Sequence, residues 1–171
     1  VESVNSGSVC SVNPFNCEEC LPNKELSLLF NISRLMAEIG PIEQRLEKSL
    51  RLLQQYLQLE RCVIYSLDEG SQELRIFASH GLSRTQEMMA TFKLGEGATG
   101  LAAQSREPII VENVHNNVLY LNKTGARSMN DISYIAVPMI LQSTLLGVLS
   151  ANLTEESKMT FDETIKVLTI V

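Results

Sequence analysis

The sequence predicts an α+β domain with helices packed on one face of a mostly antiparallel sheet. Segments with apolar residues at helical spacing lie at both ends of the chain. Segments with period-two alternation fill the middle, and they come as two hairpin-like pairs joined by short polar turns. Between the pairs, a glycine-rich stretch leaves room for a brief helix only.

Taken in order, residues 1–22 are rich in Ser, Asn, Val, Cys and Pro, lack periodicity, and read as an N-terminal arm; residues 23–171 read as the domain. Leu26, Leu29, Phe30, Ser33, Met36 and Ala37 set out a first helix. Gly40-Pro41 interrupts it, and Pro41 suits the first turn of a second helix. That helix carries the stripe Ile42, Leu46, Leu50, Leu53 and Leu57. The period then changes to two. Val63, Tyr65 and Leu67 share one strand face, Asp68-Glu69-Gly70-Ser71 is turn chemistry, and Leu74, Ile76 and Ala78 alternate on the return strand. Residues 83–90 suit a short helix, 91–94 a short strand, 97–105 a brief helix and 108–113 a strand. Residues 113–131 form a loop long enough for a functional role, with one helical turn. Residues 132–140 and 145–153 make the second hairpin. Thr160 or Asp162 caps a last helix beginning near Phe161.

The formal net charge of −6 excludes the basic footprint that nucleic-acid binding needs. Lys and Arg are too thinly spread for membrane-surface binding, and no apolar run approaches the ~20 residues of a membrane span. No signal peptide is visible, so a reducing cytoplasm is expected. The first residue is Val and the last stretch is an apolar, helix-like run, as expected of a fragment of a longer protein. His80 and His115 offer no nucleophile–base pairing, so no catalytic residue is assigned and no enzyme is expected. Cys62, in a strand-like stretch, suits a small buried hydrophobe.

Gly95, Gly97 and Gly100 spell G-x-G-x-x-G. A dinucleotide loop of that form opens a full crossover helix in a parallel βαβ unit, with an acidic residue about 20 positions on. Here the flanking strands belong to hairpins, the helix is short, and Glu112 comes too early. The expected role is structural: Gly95 and Gly97 take positive φ, and Gly100 lets the helix close on the sheet.

These glycines also carry a resemblance. "LGEGATGLAAQSREPIIVENV" followed by "ISYIAVPMILQSTLLGVLSANL" resembles a GAF domain over residues 24–171. The resemblance implies the GAF fold: a central sheet of about six strands, terminal helices on one face, and a short helix plus long loop on the other. "LYLNKTGAR", residues 119–127, is similar to a segment of NifA-type, sigma-54-dependent activators of nitrogen-fixation genes. The N-terminal cysteines resemble the AnfA/VnfA subgroup that controls the alternative nitrogenases, although the C-x6-C-x2-C spacing departs from that subgroup's tighter cluster. The resemblance implies a sensory domain that controls a downstream AAA+ ATPase. It also implies a DNA-binding domain and a sigma-54 RNA polymerase partner for the full-length protein. A GAF dimerisation scaffold and a GAF-type reductase are the alternative functions.

Two candidate sites follow. Cys10, Cys17 and Cys20 have soft-metal chemistry, with C-x2-C spacing at Cys17 and Cys20, and suit zinc or an iron–sulfur cluster; otherwise they are incidental thiols. In the long loop, Asn122, Lys123, Thr124 and Arg127 supply amide, ammonium, hydroxyl and guanidinium donors that suit a small dicarboxylate. The NifA resemblance makes 2-oxoglutarate the leading ligand. The alternative leaves Lys123 and Arg127 in solvent or paired with Asp131 and Glu112. Finally, Leu26, Leu29 and Phe30 with Phe161, Ile165 and Leu168 are more apolar surface than one sheet face uses, so a parallel homodimer is expected.

Overall fold

The structure, a computed structural model, describes residues 24–126, 132–155, 157 and 159–171. The elements are α1 (Lys24–Met36), α2 (Ile42–Leu57), β1 (Leu59–Asp68), β2 (Glu73–His80), α3 (Arg84–Met89), β3 (Thr91–Lys93), α4 (Gly97–Ser105), β4 (Ile109–Val111), β5 (Ser133–Leu141), β6 (Thr144–Leu153) and α5 (Phe161–Ile170). A 3-10 turn, Val114–Asn116, lies within the long loop. The six strands form one sheet in the order β3-β2-β1-β6-β5-β4, and every neighbouring pair is antiparallel. This is the α+β architecture expected from the sequence.

Strand alternation splits the core into two layers. Cys62, Ile135, Val137, Leu149 and Ala151 face α1, α2 and α5, meeting Leu28, Leu50, Leu53, Leu57 and Leu168. Val63, Tyr65, Tyr134, Ala136 and Val148 face the other way, toward β3, α4 and the long loop. Three bulges modify the alternation, one of them at Leu146, between the pairs Met139↔Gly147 and Ile140↔Leu145 near the far end of the β5–β6 hairpin. Glu60 is an extra residue between the pairs Leu59↔Leu153 and Arg61↔Asn152. Phe77 is an extra residue opposite Ile64 and Tyr65, which pair with Ala78 and Ile76. The expected common face of Leu74, Ile76 and Ala78 is therefore broken: the first two join the α4 layer and Ala78 joins the helical layer.

The stripe on α2 is as expected, with Leu50, Leu53 and Leu57 buried. The α1 stripe is out of phase. Leu28 and Ile32 are its buried residues, whereas Leu26 and Phe30 are each 66% exposed. Apolar residues occupy more than one side of α1, so periodicity alone does not select the side that meets α2. On α5 Leu168 is buried and Phe161 and Ile165 pack against the core, so this stripe is used within the domain. Thr160, not Asp162, caps α5: its hydroxyl accepts from Glu163 N at 3.3 Å, and Glu163 Oε2 accepts from Thr160 N at 2.9 Å. Pro41 stands one residue earlier than expected, as the N-cap of α2.

The glycine motif is structural. Gly95 and Gly97 have φ of 80° and 61°. A Cβ on Gly100 would lie 2.1 Å from Lys93 O. In the first turn of α4, Ala98 N donates to Leu119 O at 2.7 Å. One of the first-turn amides that a phosphate would need is thus taken by the chain's own loop.

Candidate functional site

The α4-facing side of the sheet, α4 itself and the segment 119–124 line a small, partly open cavity of about 30 Å³. That is room for about one water molecule. Its floor is a cross-strand row. Arg61 on β1 pairs with Asn152 on β6, and Asn152 pairs with Tyr134 on β5. The next row places Val63 beside Ser150, whose hydroxyl donates to Val63 O at 3.5 Å. From α4, Thr99 shares a 2.6 Å hydrogen bond with the Tyr134 hydroxyl. From the loop, Tyr120 accepts from Asn152 Nδ2 at 3.4 Å and meets Tyr134 edge-on, with ring centroids 5.2 Å apart. Tyr65 stands edge-on to Phe92 at 5.5 Å.

Burial raises the Tyr134 phenol to about 12, against the opposing pull of its hydrogen bonds to Ser150 and Thr99. Burial also raises Tyr65, and the neighbouring phenols of Tyr134 and Tyr120 add to it. Both therefore stay neutral at physiological pH and keep a proton to donate. Arg61 is 5% exposed and lines the cavity; its Nη2 donates to Glu60 Oε2 at 2.9 Å. The bulge at Glu60 is what lets two consecutive residues of one strand form this pair.

The roof is tied down. Lys123 Nζ donates to Thr91 O at 2.7 Å and to Glu96 Oε1 at 2.5 Å, and it lies 4.9 Å from the centroid of the Phe92 ring. The hydrogen bond from Lys123 holds the Glu96 carboxyl below its usual range, helped by a second bond from Lys93 N. Asn122 Nδ2 donates to Ala126 O at 2.8 Å, and the Thr124 hydroxyl donates to Asn122 Oδ1 at 3.1 Å.

Of the expected ligand residues, Asn122, Lys123 and Thr124 do line the cavity. Their polar atoms close the loop on itself and on the β3–α4 turn. The alternative reading of Lys123 needs correction: its partner is Glu96, not Glu112. Arg127, like Cys10, Cys17 and Cys20, lies outside the described residues, as does Asp131. Sequence reasoning missed Arg61, Thr99, Tyr134, Ser150 and Asn152. The alternation held a signal for them, because Arg61 falls in phase with Val63 and Tyr65, and Ser150 and Asn152 in phase with Val148. Cys62 is fully buried, its thiol donates to Leu50 O at 3.2 Å, and burial pushes it up to about 12. No helix among the described residues is long and apolar enough to cross a membrane.

A curled antiparallel sheet with terminal helices on one face, and a small cavity roofed by a long loop on the other, defines the class: the chain belongs to the GAF domain family, whose match covers residues 41–169. Among individual proteins it is similar to the Nif-specific regulatory protein of Herbaspirillum seropedicae, 30% identical over 87% of this chain and 28% of that protein. It is also similar to the nitrogen fixation protein VnfA of Azotobacter vinelandii, 27% identical over 74% of this chain and 25% of that protein. The chain thus spans a minor part of these relatives' length. Among solved structures, the A. aeolicus nlh2 GAF domain in an inactive state superposes with a TM-score of 0.75. That domain is 27% identical, over 88% of this chain and 91% of its own.

Proposed function

We propose that the chain is the sensory domain of a cytoplasmic nitrogen-fixation transcriptional activator, and that it responds to a small anion in the cavity. In this reading it does no chemistry. It biases a downstream ATPase, which acts with sigma-54 RNA polymerase on DNA, between inhibited and active states. The similarity to Nif-specific regulators supports the biological setting. The observation that carries the sensing role is the roof. Segment 119–124 covers a cavity lined by buried polar groups and is fastened by Lys123 to Glu96 and Thr91. In this reading a ligand larger than water shifts that segment, and a ligand biases two states only by binding them unequally. A dicarboxylate such as 2-oxoglutarate is the first candidate. Metal or redox sensing through Cys10, Cys17 and Cys20 is a separate input in the same reading.

Native mass spectrometry of protein purified from cytosol, with thermal-shift titration of 2-oxoglutarate, tests the proposal. A retained small molecule, or a rise in melting temperature that saturates, is expected. Protein that retains nothing and whose melting temperature is unmoved by millimolar 2-oxoglutarate would overturn the sensing role. A second reading, dimerisation without ligand, is favoured by the outward side of α1, where Leu26 and Phe30 are exposed. Light scattering tests the dimer that both readings expect, and a strict monomer at high micromolar concentration would remove the second reading.

A further inference from the structure

We infer that the cavity recognises a small carboxylate through Arg61, which takes the ligand in exchange for its internal partner Glu60. The inference rests on the sensory reading above and assigns the ligand class and the residue that reads it.

A guanidinium is costly to bury unless its charge is paired. Arg61 is 95% buried, in phase with the cavity-facing residues of β1, and among the described residues it is ion-paired with the neighbouring Glu60. Glu60 is less enclosed, with 28% of its side chain exposed. The fold makes room for the Arg61 stem: Gly81 has φ of +90°, and a Cβ there would sit 2.6 Å from Arg61 Cγ. A guanidinium carries five N–H donors in a planar fork that matches a carboxylate edge-on. Glu60 takes one of them, at Nη2.

The surroundings suit a ligand carboxylate better than a bare ion pair. Asn152, beside Arg61 in the sheet, has an amide; Ser150, Thr99 and Tyr134 have hydroxyls, and burial keeps Tyr134 protonated. These are neutral donors and acceptors, fit for the uncharged oxygens of a ligand. Lys123, a second cation on the cavity wall among the described residues, is already held by Glu96. Among the described residues, the Arg61–Glu60 pair is therefore the contact at which a ligand's negative charge can be exchanged. When a ligand carboxylate enters, the Glu60 carboxylate moves out toward solvent and the net charge beside Arg61 is conserved. No bond is made or broken.

The test uses the protein with acetate and pyruvate as probes, acetamide as the neutral isostere, and inorganic phosphate as the rival oxyanion. The readouts are calorimetric affinity and the Arg61 Nε–H resonance in a nitrogen-resolved NMR titration. Pyruvate or acetate should shift that resonance and acetamide should not. Arg61→Gln should weaken carboxylate binding at least about tenfold, and Arg61→Lys, which keeps the charge but loses the fork, should weaken it by less. Glu60→Gln removes the competitor and should tighten binding by about tenfold, a gain that a purely structural role for Arg61 does not predict. If Arg61→Gln fails to fold, Glu60→Gln decides alone. Carboxylate binding unchanged in Glu60→Gln overturns the inference, and so does phosphate binding in preference to both carboxylates. Failure of wild type and Glu60→Gln to bind any carboxylate also overturns it. In these cases a different small molecule retained in native mass spectrometry would leave the sensing role standing and remove only the carboxylate and its contact with Arg61.

Discussion

Replacing Gly100 with Ala tests the structural account of the glycine motif by the sign of its effect. Gly100 lies inside α4. Helix propensity alone predicts that Gly→Ala there stabilises the fold by about 1 kcal/mol. The packing predicts the opposite. The new Cβ would be built 2.1 Å from Lys93 O, with Gly95 N at 3.2 Å, where real Cβ atoms do not approach within 3.0 Å. Lys93 cannot simply step aside, because it pairs with Glu73 at the sheet edge and its carbonyl accepts from Glu96 N at 3.0 Å. Forcing atoms into a packed site costs roughly 1–3 kcal/mol, and a clash with backbone falls at the upper end, about 3 kcal/mol. The net loss is then about 2 kcal/mol, or a fall of about 4–8 °C in melting temperature for a domain of this size. Thermal melts by circular dichroism measure it. A melting temperature equal to or above wild type would refute the close-packing argument and reopen the role of this turn.

Three further outcomes are expected. Tyr134→Phe should strand the buried Thr99 hydroxyl and cost about 1–3 kcal/mol in urea unfolding, while the double variant with Thr99→Val should cost less than the two singles combined. Because Lys123 lowers the Glu96 carboxyl in the folded state, the unfolded state binds more protons at acid pH. The stability that Glu96 adds over Glu96→Gln should therefore be complete above the usual glutamate value of 4.5 and fade as pH falls through the lowered one, as read by melting temperature against pH. In protein with Cys10, Cys17 and Cys20 replaced by Ser, Cys62 should resist thiol reagents at pH 8 until the protein is unfolded, since burial raises its thiol to about 12; prompt labelling would contradict that environment.

The fold was largely legible because its signals are local. The turn at Asp68–Ser71, the glycines at 95, 97 and 100, and the Thr160 cap each constrain a few neighbouring residues, and hairpins and helix starts follow from them. The bulges at Glu60 and Phe77 were hidden, because an extra residue is defined only against the strand opposite. The phase of α1 was hidden for a similar reason, as it is set by contact with α2. In the sequence, the polar and irregular stretch is 119–127. That segment supplies the roof. The floor is made of polar residues at inward strand positions, Arg61, Tyr134, Ser150 and Asn152, and these read as ordinary strand until the sheet face is assigned.

The order of the sheet has a kinetic consequence. Hairpins β1–β2 and β5–β6 close over short turns, but β1 and β6 join partners as distant as Arg61 and Asn152. Such long-range pairing is the slow step in assembling β structure, so the two hairpins should form early and their seam late. Arg61, Val63 and Tyr65 lie on one side of that seam, and Tyr134, Ser150 and Asn152 on the other. A molecule seated in the cavity therefore bridges the last junction to form and the first to part. Its occupancy should lengthen the lifetime of the joined state and leave hairpin formation untouched.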